Sequence, residues 1–362
     1  MNRHEWRIAV KQESLARRLD CLTEPARLVE PLPDRPGWVR CLACAHQCKI
    51  GPDRRGVCQV RFNRDGVLRV PFGYVVGLQC DPVEKKPFNH LLPGSQALTF
   101  GMLGCDLHCD YCQNWLTSQA LRDDLAGASP QPITAGEIAA AGQRLGAALV
   151  VSSYNEPLIT SEWAVAVFAE ARRRGLRTAF VSNGNATRPV LAFLRPWVDA
   201  YKIDLKTMND RRYRQLGAVL THVLDGIRMV FEMGFWLEIV TLVAPGFNDD
   251  PGELTAAAQF IVGLSPDIPW HVTAFHRDYR MHDAANTTAQ DLIRVAEIGR
   301  KAGLRYVYAG NLPGRLGDWE HTICPQCHTV LVKRLGFRIL ERRIGPDGRC
   351  PQCGLIVPGI WS

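Results

Sequence analysis

Apolar residues between positions 97 and 312 fall into short continuous runs, separated by longer stretches with helical spacing. Runs of this kind are typical of strands that are buried on both faces of a parallel sheet. The intervening stretches, such as Ser161–Arg174 and Ala289–Ala302, place apolar residues on one face of a helix. The pattern therefore predicts an α/β fold of repeated β/α units. The predicted strands are 97–104, 147–154, 177–182, 200–205, 236–243, 270–275 and 305–309.

The two ends of the chain have a different pattern. Residues 1–38 read as a short amphipathic helix followed by a proline-rich linker, and residues 39–96 as a cysteine-rich module with a lead-in to the sheet. This module includes strand-like segments around residues 67–76. Residues 313–362 form a second cysteine-rich module. We therefore predict a central domain at 97–312 with a small module on each side.

Composition narrows the class of protein. Hydrophobic residues make up 46% of the 362 positions, enough for one large core or a core with satellites. The first ten residues contain no apolar run suited to a signal peptide or membrane span, so we expect a cytoplasmic protein without a membrane partner. A net charge of +7, from 43 basic and 36 acidic residues, is mild and spread along the chain. It gives no reason to expect nucleic-acid binding.

A tight cysteine array follows the first predicted strand, with the spacing Cys105-x3-Cys109-x2-Cys112. Three thiolates in one loop can hold three corners of an iron–sulfur cube and leave the fourth iron open to a small molecule. Zinc is the alternative, because a fourth ligand can come from a neighbouring side chain. The available neighbours are Asp106, His108 and Asp110.

Eight further cysteines form two flanking groups. The pairs Cys324-x2-Cys327 and Cys350-x2-Cys353 have the arrangement of a zinc ribbon, and the apolar residues between them suit a small β-hairpin. Zinc is favoured there over an auxiliary iron–sulfur cluster. The N-terminal group has no preferred metal, so zinc and a second cluster stay equally open. It consists of Cys41, Cys44, Cys48 and Cys58, with His46 or Cys80 as alternate ligands, whereas Cys21 is read as a plain thiol.

Polar residues follow every predicted strand of the central domain. In β/α barrels the carboxyl ends of the strands form the active-site face, so we expect these residues to converge on one mouth. Turn formation alone would account for any single segment. The segments are Tyr154–Pro157, Ser182–Gly184, Asp204–Lys206, Ala244–Gly246, His276 and Gly310–Gly314.

The array Cys105-x3-Cys109-x2-Cys112, with Tyr111 before its last cysteine, resembles the radical S-adenosylmethionine (radical SAM) superfamily over residues 97–312. Within it, the segments after the strands resemble activating enzymes for glycyl radicals, such as those of pyruvate formate-lyase. Cysteines at both ends extend the similarity to the AmmeMemoRadiSam-system radical SAM enzymes. The segments that carry these resemblances are Tyr154–Pro157, Asp204–Asp210 and Pro245–Asp249 for the activating enzymes, and Cys41–Cys48, Asp81–Pro87 and Cys350–Trp361 for the last family.

The resemblance implies a partial (β/α) TIM-like barrel that binds a [4Fe–4S] cluster and S-adenosylmethionine. Reductive cleavage of S-adenosylmethionine would give a 5′-deoxyadenosyl radical, which removes hydrogen from a substrate. We expect a protein or peptide substrate, with a small molecule as the alternative. A metal-binding scaffold without catalysis is a third interpretation. Expected partners are an electron donor such as flavodoxin or ferredoxin, and proteins of the Memo and Ammecr types.

The resemblance also assigns roles to residues around the cluster. Its cysteine ligands would be Cys105, Cys109 and Cys112, and the remaining residues would contact S-adenosylmethionine or the substrate. Two departures stand out: Val181 lies where activating enzymes commonly have an acidic residue, and Arg277 lies where the closer family tends to have proline. The assigned contacts are Tyr111 near adenine, Asn155 and Glu156 near the methionine amino group, Ser182, Asn183, Asp204 and Lys206 near ribose and carboxylate, and Val243 and His276 on the adenine and substrate sides.

Overall fold

An eight-stranded sheet forms the centre of the computed structural model, which describes residues 15–362. Seven neighbouring strands are parallel, and the first strand runs antiparallel to the second. This sheet confirms the α/β fold that the apolar runs predict. Its strands are β1 (Gly77–Pro82), β2 (Gln96–Gly101), β3 (Ala147–Ser152), β4 (Arg177–Ser182), β5 (Ala200–Asp204), β6 (Trp236–Val243), β7 (Trp270–Ala274) and β8 (Val307–Gly310).

Strand order in the sheet follows chain order, so β1 and β8 are its two edges. The sheet is therefore a partial barrel, open between these edges. Apolar residues fill both sides of it: Ala97, Leu149 and Val151 belong to a smaller cluster, while Leu98 and Val150 join the large core with the helices. The helices of the central domain are Trp115–Ser118, Ala135–Arg144, Ser161–Arg173, Arg188–Leu194, Asp210–Gln215, Leu220–Glu232, Pro251–Leu264 and Ala289–Ala302, with short 3-10 turns at Val83–Lys85 and Pro157–Thr160.

Capping side chains mark the starts of two helices in the central domain. The hydroxyl of Thr134 accepts from the backbone N–H of Glu137, whose carboxylate accepts in return from the N–H of Thr134. Thr288 and Asp291 repeat this capping box at the last helix of the central domain. Each box satisfies backbone donors that the first helical turn leaves open. The two boxes fix where the helices Ala135–Arg144 and Ala289–Ala302 begin.

The strand β2 ends at Gly101, three residues before the predicted end at position 104. The backbone N–H of Met102 donates to Oδ1 of Asn155 at 2.9 Å instead of continuing the ladder. Gly104 then has a φ of +95°, a conformation that favours glycine. The chain thus leaves the sheet early and turns into the cysteine loop.

Two small antiparallel sheets precede the central one. The first pairs Thr23–Pro25 and Phe62–Arg64 with Val67–Pro71, and the second joins Val29–Pro31, Val39–Cys41 and Lys49–Ile50. A further pair, Tyr74–Val75 with Gln131–Pro132, lies alongside. Strands within residues 15–38 differ from the predicted linker, because their partners lie too far along the chain for a local pattern to reveal. The predicted N-terminal helix falls mainly on residues 1–14, which lie outside the described part. Of the described residues before the first strand, 15–21 are helical.

A buried ion pair anchors the N-terminal region to the central domain. The two terminal guanidinium nitrogens of Arg61, Nη1 and Nη2, donate to the Glu162 carboxylate at 2.9 and 2.8 Å. Both side chains are almost fully buried. Glu162 also accepts from the backbone N–H of Leu28 at 3.2 Å. The cysteine-rich module is therefore packed onto the helix Ser161–Arg173 through paired charges, and the predicted boundaries at 38, 96 and 312 stay predictions.

The C-terminal region forms a three-stranded antiparallel sheet after a 3-10 turn at Gly317–Glu320. Its strands are Thr322–Ile323, Val330–Leu335 and Arg338–Arg342, so the predicted hairpin is present. The tail then returns to the central domain, where Ile360 bridges to Leu91. Between residues 15 and 362, no helix is both long and apolar enough to cross a membrane.

Candidate functional site

The cysteine loop lies between β2 and the short helix Trp115–Ser118. Its sulfur atoms have local partners: Sγ of Cys105 accepts from the N–H of Leu107 at 3.3 Å, and Sγ of Cys112 lies 3.2 Å from Oγ of Ser118. Burial raises the pKa of each thiol, and that of Cys109 to about 12. Thiols that are costly to ionise in the bare protein are suited to a site where a metal stabilises the thiolate.

The spacing of these three thiols differs from that of a closed zinc site. Four sulfur ligands around zinc lie about 3.8 Å apart, from Zn–S bonds of about 2.3 Å in a tetrahedron. In the part of the chain that the structure describes, one cysteine group has all its ligand atoms within 4.8 Å of one another, and it is the C-terminal one. The loop of Cys105, Cys109 and Cys112 is therefore more open than a zinc tetrahedron.

The side chain of Glu156, which follows β3, connects the carboxyl ends of β3 and β4 through hydrogen bonds. Its carboxylate accepts from the hydroxyl of Ser182 and the backbone N–H of Asn183, both at 2.7 Å, and from the N–H of Leu158 at 3.0 Å. Burial raises the pKa of Glu156, and the nearby Asp106 raises it further. Three of the sequence-predicted residues thus meet at one point on the carboxyl edge of the sheet.

The side-chain amide of Asn155 makes hydrogen bonds to the backbone around it. Its Oδ1 accepts from the N–H of Met102, and its Nδ2 donates to the carbonyl oxygen of Glu156 at 3.1 Å. Tyr154 before it has a φ of +73°, and a Cβ on Gly101 would lie 2.8 Å from the tyrosine ring. Asn155 therefore holds the start of the cysteine loop against the end of β3.

Asp106 is a buried residue whose position sequence reasoning missed. Its carboxylate accepts from Nδ2 of Asn183 at 2.7 Å and from Nδ2 of Asn185 at 2.8 Å. Nε2 of His46, from the N-terminal module, lies 3.8 Å away. In the sequence Asp106 stood out only as a candidate zinc ligand, and the two asparagines of the segment after β4 were the available signal for this network.

Lys206 and Asp204 form a charged pair at the end of β5. Nζ of Lys206 lies 3.5 Å from Oδ2 of Asp204, while Nζ of Lys202 lies 3.1 Å from Oδ1. Burial opposes the charge of Lys206, but Asp204 and the Cys109 thiol outweigh it and raise the lysine pKa. The ammonium group therefore stays charged beside the cysteine loop, where it can attract an anionic ligand group.

Aromatic and apolar residues line the other side of the loop. Tyr111 is buried, and its ring centroid lies 5.1 Å from that of Phe247. Val243, at the end of β6, is buried, and its carbonyl oxygen accepts from the hydroxyl of Thr287 at 2.5 Å. Nδ2 of Asn248 donates to the carbonyl oxygen of Lys206 at 2.6 Å, which ties the loop after β6 to the end of β5.

His276 has an exposed side chain after β7, with Nδ1 3.3 Å from the carbonyl oxygen of Arg277. The loop that it begins crosses to the cysteine loop. The rings of Tyr279 and Trp115 stack with centroids 5.1 Å apart, and the N–H of Arg280 donates to the carbonyl oxygen of Asp110 at 2.9 Å. The site role of His276 stays a prediction, while the loop 276–286 covers part of the mouth.

The C-terminal cysteines come together as a compact quartet. Sγ of Cys324 lies 3.6 Å from that of Cys353, and Sγ of Cys327 lies 3.5 Å from that of Cys350. Residues with positive φ follow each pair: His328 at +59° and Gly354 at +75°. All four sulfur atoms of the quartet lie within 4.8 Å of one another; its members are Cys324, Cys327, Cys350 and Cys353. This spacing suits a single tetrahedral metal ion.

The N-terminal cysteines lie beside the central site, although they do not form such a compact quartet. Cys41, Cys44 and Cys58 are buried and Cys48 is partly exposed. Of the two alternate ligands, His46 lies near Asp106, whereas Cys80 lies on β1, paired with Leu98 in the central sheet.

Comparison with known proteins gives a family and two kinds of relative. Residues 100–258 match the model of the radical SAM superfamily. An uncharacterized protein of Methanocaldococcus jannaschii is 33% identical over 320 residues, which cover 87% of this chain and 94% of that protein. A pyruvate formate-lyase-activating enzyme of Staphylococcus aureus is 26% identical over 240 residues, which cover 62% of this chain and 93% of the enzyme.

Among solved structures, a radical SAM methyltransferase from Sphaerobacter thermophilus is similar with a TM-score of 0.48 at 16% identity. The match covers 80% of this chain and 78% of the methyltransferase. A domain of a pyruvate-formate lyase-activating enzyme from Bacteroides vulgatus has a TM-score of 0.40 at 20% identity, over 45% of this chain and 98% of that domain.

Proposed function

The chain belongs to the radical SAM superfamily, and we propose that it is an enzyme that cleaves S-adenosylmethionine reductively and removes hydrogen from a protein or peptide. The superfamily implies a [4Fe–4S] cluster and S-adenosylmethionine as cofactors. One observation carries the proposal: the loop of three cysteines lies on the same edge of the sheet as Glu156 and Lys206. Thiols for a cluster and charged groups for an amino acid ligand are thereby brought together.

The residues of the loop fit an iron–sulfur cluster. Cys105, Cys109 and Cys112 supply three thiolates, and their spacing is wider than a zinc tetrahedron. Three protein ligands on a four-iron cluster leave one iron for another molecule. The zinc interpretation would need a fourth ligand, and Asp106, one of its three candidates, already accepts hydrogen bonds from Asn183 and Asn185 with both of its oxygens.

The surrounding residues are suited to bind and orient S-adenosylmethionine. Lys206 offers a partly exposed positive charge to the carboxylate of its methionine part. Glu156 fixes Ser182 and Asn183, which we place near the ribose, and Asn155 and Glu156 lie where we expect the amino group. Tyr111 and Val243 form an apolar surface for adenine and exclude water from it.

The cofactors would supply the radical chemistry, and the protein would bind and orient them. A [4Fe–4S] cluster held by Cys105, Cys109 and Cys112 would, when reduced, supply the electron for cleavage of S-adenosylmethionine to methionine and a 5′-deoxyadenosyl radical. The protein orients the sulfonium, keeps charges in place and excludes water from the mouth. The loop 276–286, held at Asp110 and Trp115, contributes to this exclusion.

A protein or peptide substrate is supported by similarity to an enzyme whose name states that it activates pyruvate formate-lyase. To test it, a lysate grown in deuterated medium is separated into macromolecules and small molecules, and each fraction is added to the reduced enzyme. Deuterium in 5′-deoxyadenosine with the macromolecular fraction is the expected result, and it should depend on Cys105. Deuterium only with the small-molecule fraction would overturn the protein-substrate proposal.

A small-molecule substrate is the second candidate, favoured by the loop 276–286. Its contacts to the cysteine loop, through Tyr279 and Arg280, narrow the mouth on one side. A narrow mouth restricts access for a folded partner more than for a small ligand. If the substrate is a small molecule, Tyr279→Ala should still give deuterium in 5′-deoxyadenosine only with the small-molecule fraction. An increase of deuterium with the macromolecular fraction would contradict this second candidate.

Zinc is the metal that we propose for the C-terminal quartet. The support is the close spacing of its four sulfur atoms, 3.5 and 3.6 Å for two pairs. Four protein thiolates close the coordination shell, as in structural rather than catalytic zinc sites. Counting zinc in wild-type protein and in Cys350→Ser tests this assignment, since one equivalent should be lost in the variant.

Partners follow from the same family resemblance. We propose a one-electron donor such as flavodoxin or ferredoxin, and assignment to the AmmeMemoRadiSam system with Memo-type and Ammecr-type proteins. The support is the agreement of segments at both ends of the chain, including Cys41–Cys48 and Cys350–Trp361, with that family. Co-purification of the proteins after joint expression, compared with each protein alone, would test the assignment.

A further inference from the structure

The N-terminal cysteine group, defined as Cys41, Cys44, Cys48 and Cys58, is a second set of buried thiols outside the cysteine loop. The backbone N–H of Cys41 donates to the carbonyl oxygen of Cys48 at 3.0 Å, so these two residues are neighbours across a turn. The segment that carries Cys58 folds onto the same place, because the N–H of Val57 lies 3.5 Å from Sγ of Cys48. Three separate turns thus bring their cysteines to one pocket.

Hydrogen bonds and close approaches join the segments that carry the other cysteines. The N–H of Gln47 donates to the carbonyl oxygen of Cys44 at 3.0 Å, which closes a turn directly before Cys48. A Cβ on Gly56, two residues before Cys58, would lie 3.5 Å from Sγ of Cys48. The four thiols therefore share one buried volume.

The separation of these thiols points to a group larger than a single ion. Zinc would gather four sulfur atoms to about 3.8 Å from one another. The C-terminal quartet has this spacing, whereas the N-terminal cysteine group is not within 4.8 Å in the described residues, and neither is the cysteine loop. A four-iron cube holds its cysteine sulfurs farther apart than one zinc ion does. Among the described residues, the N-terminal cysteine group therefore shares the wider spacing of the cysteine loop and not the compact spacing of the quartet.

Arg61 provides a buried positive charge beside this pocket. It is 1% exposed, and its carbonyl oxygen accepts at 2.9 Å from the N–H of Gly56, two residues before Cys58. Among the described residues its Nε is buried without a hydrogen-bond partner, although the other guanidinium nitrogens are paired. A buried, unpaired donor is costly, and the sulfur atoms of a cluster would provide an acceptor.

We propose that the N-terminal cysteine group binds a second [4Fe–4S] cluster, with all four irons held by protein thiolates. This cluster would be a neighbour of the first one. A Cβ on Gly104, directly before Cys105, would lie 3.2 Å from the carbonyl oxygen of Cys58. The N–H of Ala45 also donates to the carbonyl oxygen of Asn185, which in turn contacts Asp106. The two clusters are thus separated by little more than one layer of backbone.

The first experiment removes the cysteine loop and leaves the N-terminal cysteine group intact. The triple variant Cys105→Ala, Cys109→Ala, Cys112→Ala is reconstituted without oxygen, and iron, sulfide and zinc are counted beside wild type. The expected result is loss of about half of the iron and sulfide, with no change in zinc. A triple variant without iron, or with a second equivalent of zinc, would overturn the proposal.

The second experiment removes the proposed site itself. In Cys44→Ser and Cys58→Ser we expect about half of the iron to be lost, whereas the matched control Cys80→Ser, on the edge strand β1, keeps all of it. Reduced wild type should show an electron paramagnetic resonance spectrum broadened by two neighbouring clusters, and the triple variant a single uncoupled signal. Equal iron in Cys58→Ser and wild type would contradict the assignment. Both counts are independent of turnover, so they separate this inference from the proposed function.

Discussion

The C-terminal quartet and the cysteine loop both gather thiols, but the protein supports them differently. The quartet lies in a small antiparallel sheet, and its sulfur atoms have one another and the backbone of two tight turns as neighbours. The cysteine loop, which itself contains Asp106, is surrounded by ionisable side chains that follow strand ends, among them Glu156 and Lys206. The comparison teaches that the central sheet shapes the cysteine loop, whereas the quartet has little support beyond the metal that we propose for it.

This difference reflects the size of the core available to each region. The central sheet supplies fixed strand ends that hold charged side chains through several hydrogen bonds each. A hairpin with Leu335, Phe337 and Leu340 exposed has too small a core to order two cysteine turns by itself. Metal binding is then part of the folding free energy of that region.

The largest predicted effect breaks the quartet. Structural zinc sites of this type bind with roughly 10–16 kcal/mol, so Cys350→Ser should unfold the C-terminal sheet locally. Hydrogen exchange of the strands Val330–Leu335 and Arg338–Arg342 should rise to the rate of unstructured peptide, while β3 to β6 stay protected. Cys80→Ser is the control. Protection of both C-terminal strands equal to that of wild type would show that the metal does not order them.

The second prediction tests how strongly buried charge anchors the N-terminal region to the central sheet and its helices. Arg61→Met leaves the Glu162 carboxylate buried without its partner, which costs roughly 3–5 kcal/mol of the free energy of unfolding. Arg55, which also pairs with a carboxylate through a bidentate contact but is partly exposed, provides the matched control. Arg55→Met should cost at most about 1 kcal/mol. Urea unfolding measures both, and equal costs would contradict the role of burial.

The third prediction concerns the joint between the C-terminal tail and the sheet. His90 is fully buried, with Nδ1 2.7 Å from the carbonyl oxygen of Pro358 and Nε2 2.6 Å from the Tyr308 hydroxyl. Burial lowers its pKa from 6.5 to about 4. The folded protein thus keeps His90 neutral where the unfolded chain binds a proton. Its contribution to stability is complete above pH 6.5 and decreases as the pH falls towards 4.

Between pH 7 and pH 5 this linkage amounts to about 2 kcal/mol. His90→Gln removes the titration, so its stability should change less over that interval than that of wild type by this amount. His282→Gln, at an exposed histidine, is the control and should follow wild type. If His90→Gln shows the full acid destabilisation of wild type, another group is responsible for it.

The smallest predicted effect is on ligand affinity at the cysteine loop. Lys206→Met removes the ammonium group that we place near the carboxylate of S-adenosylmethionine. A charge-assisted hydrogen bond at a partly exposed position is worth about 1.5 kcal/mol, so affinity should fall about tenfold. Lys85→Met, at an exposed lysine that pairs with Asp81, should bind like wild type. Equilibrium dialysis with labelled S-adenosylmethionine gives the ratio, and equal affinities would remove Lys206 from the site.

The parallel strands were predictable because each is a continuous apolar run that both faces of the sheet bury. The strand β1 was missed, since it mixes Gln79 and Asp81 with apolar residues at the edge of the sheet. The small N-terminal sheets were missed for a different reason: they depend on partners far along the chain, such as Glu24 with Val70. Local patterns contain no information on such pairing.

Within the candidate site, sequence identified the strand ends but not how their side chains interact. The convergence of Glu156, Ser182 and Asn183 follows from the parallel sheet, because adjacent strands end at one edge. The burial of Asp106 and the exposure of His276 depend on how two loops fold over that edge. The roles of these residues in cofactor binding stay predictions.

The most direct test of the central claim is the release of 5′-deoxyadenosine from S-adenosylmethionine by reconstituted, dithionite-reduced protein without oxygen. Wild type should release the nucleoside, and Cys105→Ala should release none above the background without protein. Cys353→Ala, which alters the quartet instead of the cysteine loop, should retain release for as long as its central domain stays folded. Equal release from wild type and Cys105→Ala, or none from wild type with its full complement of iron, would contradict the account.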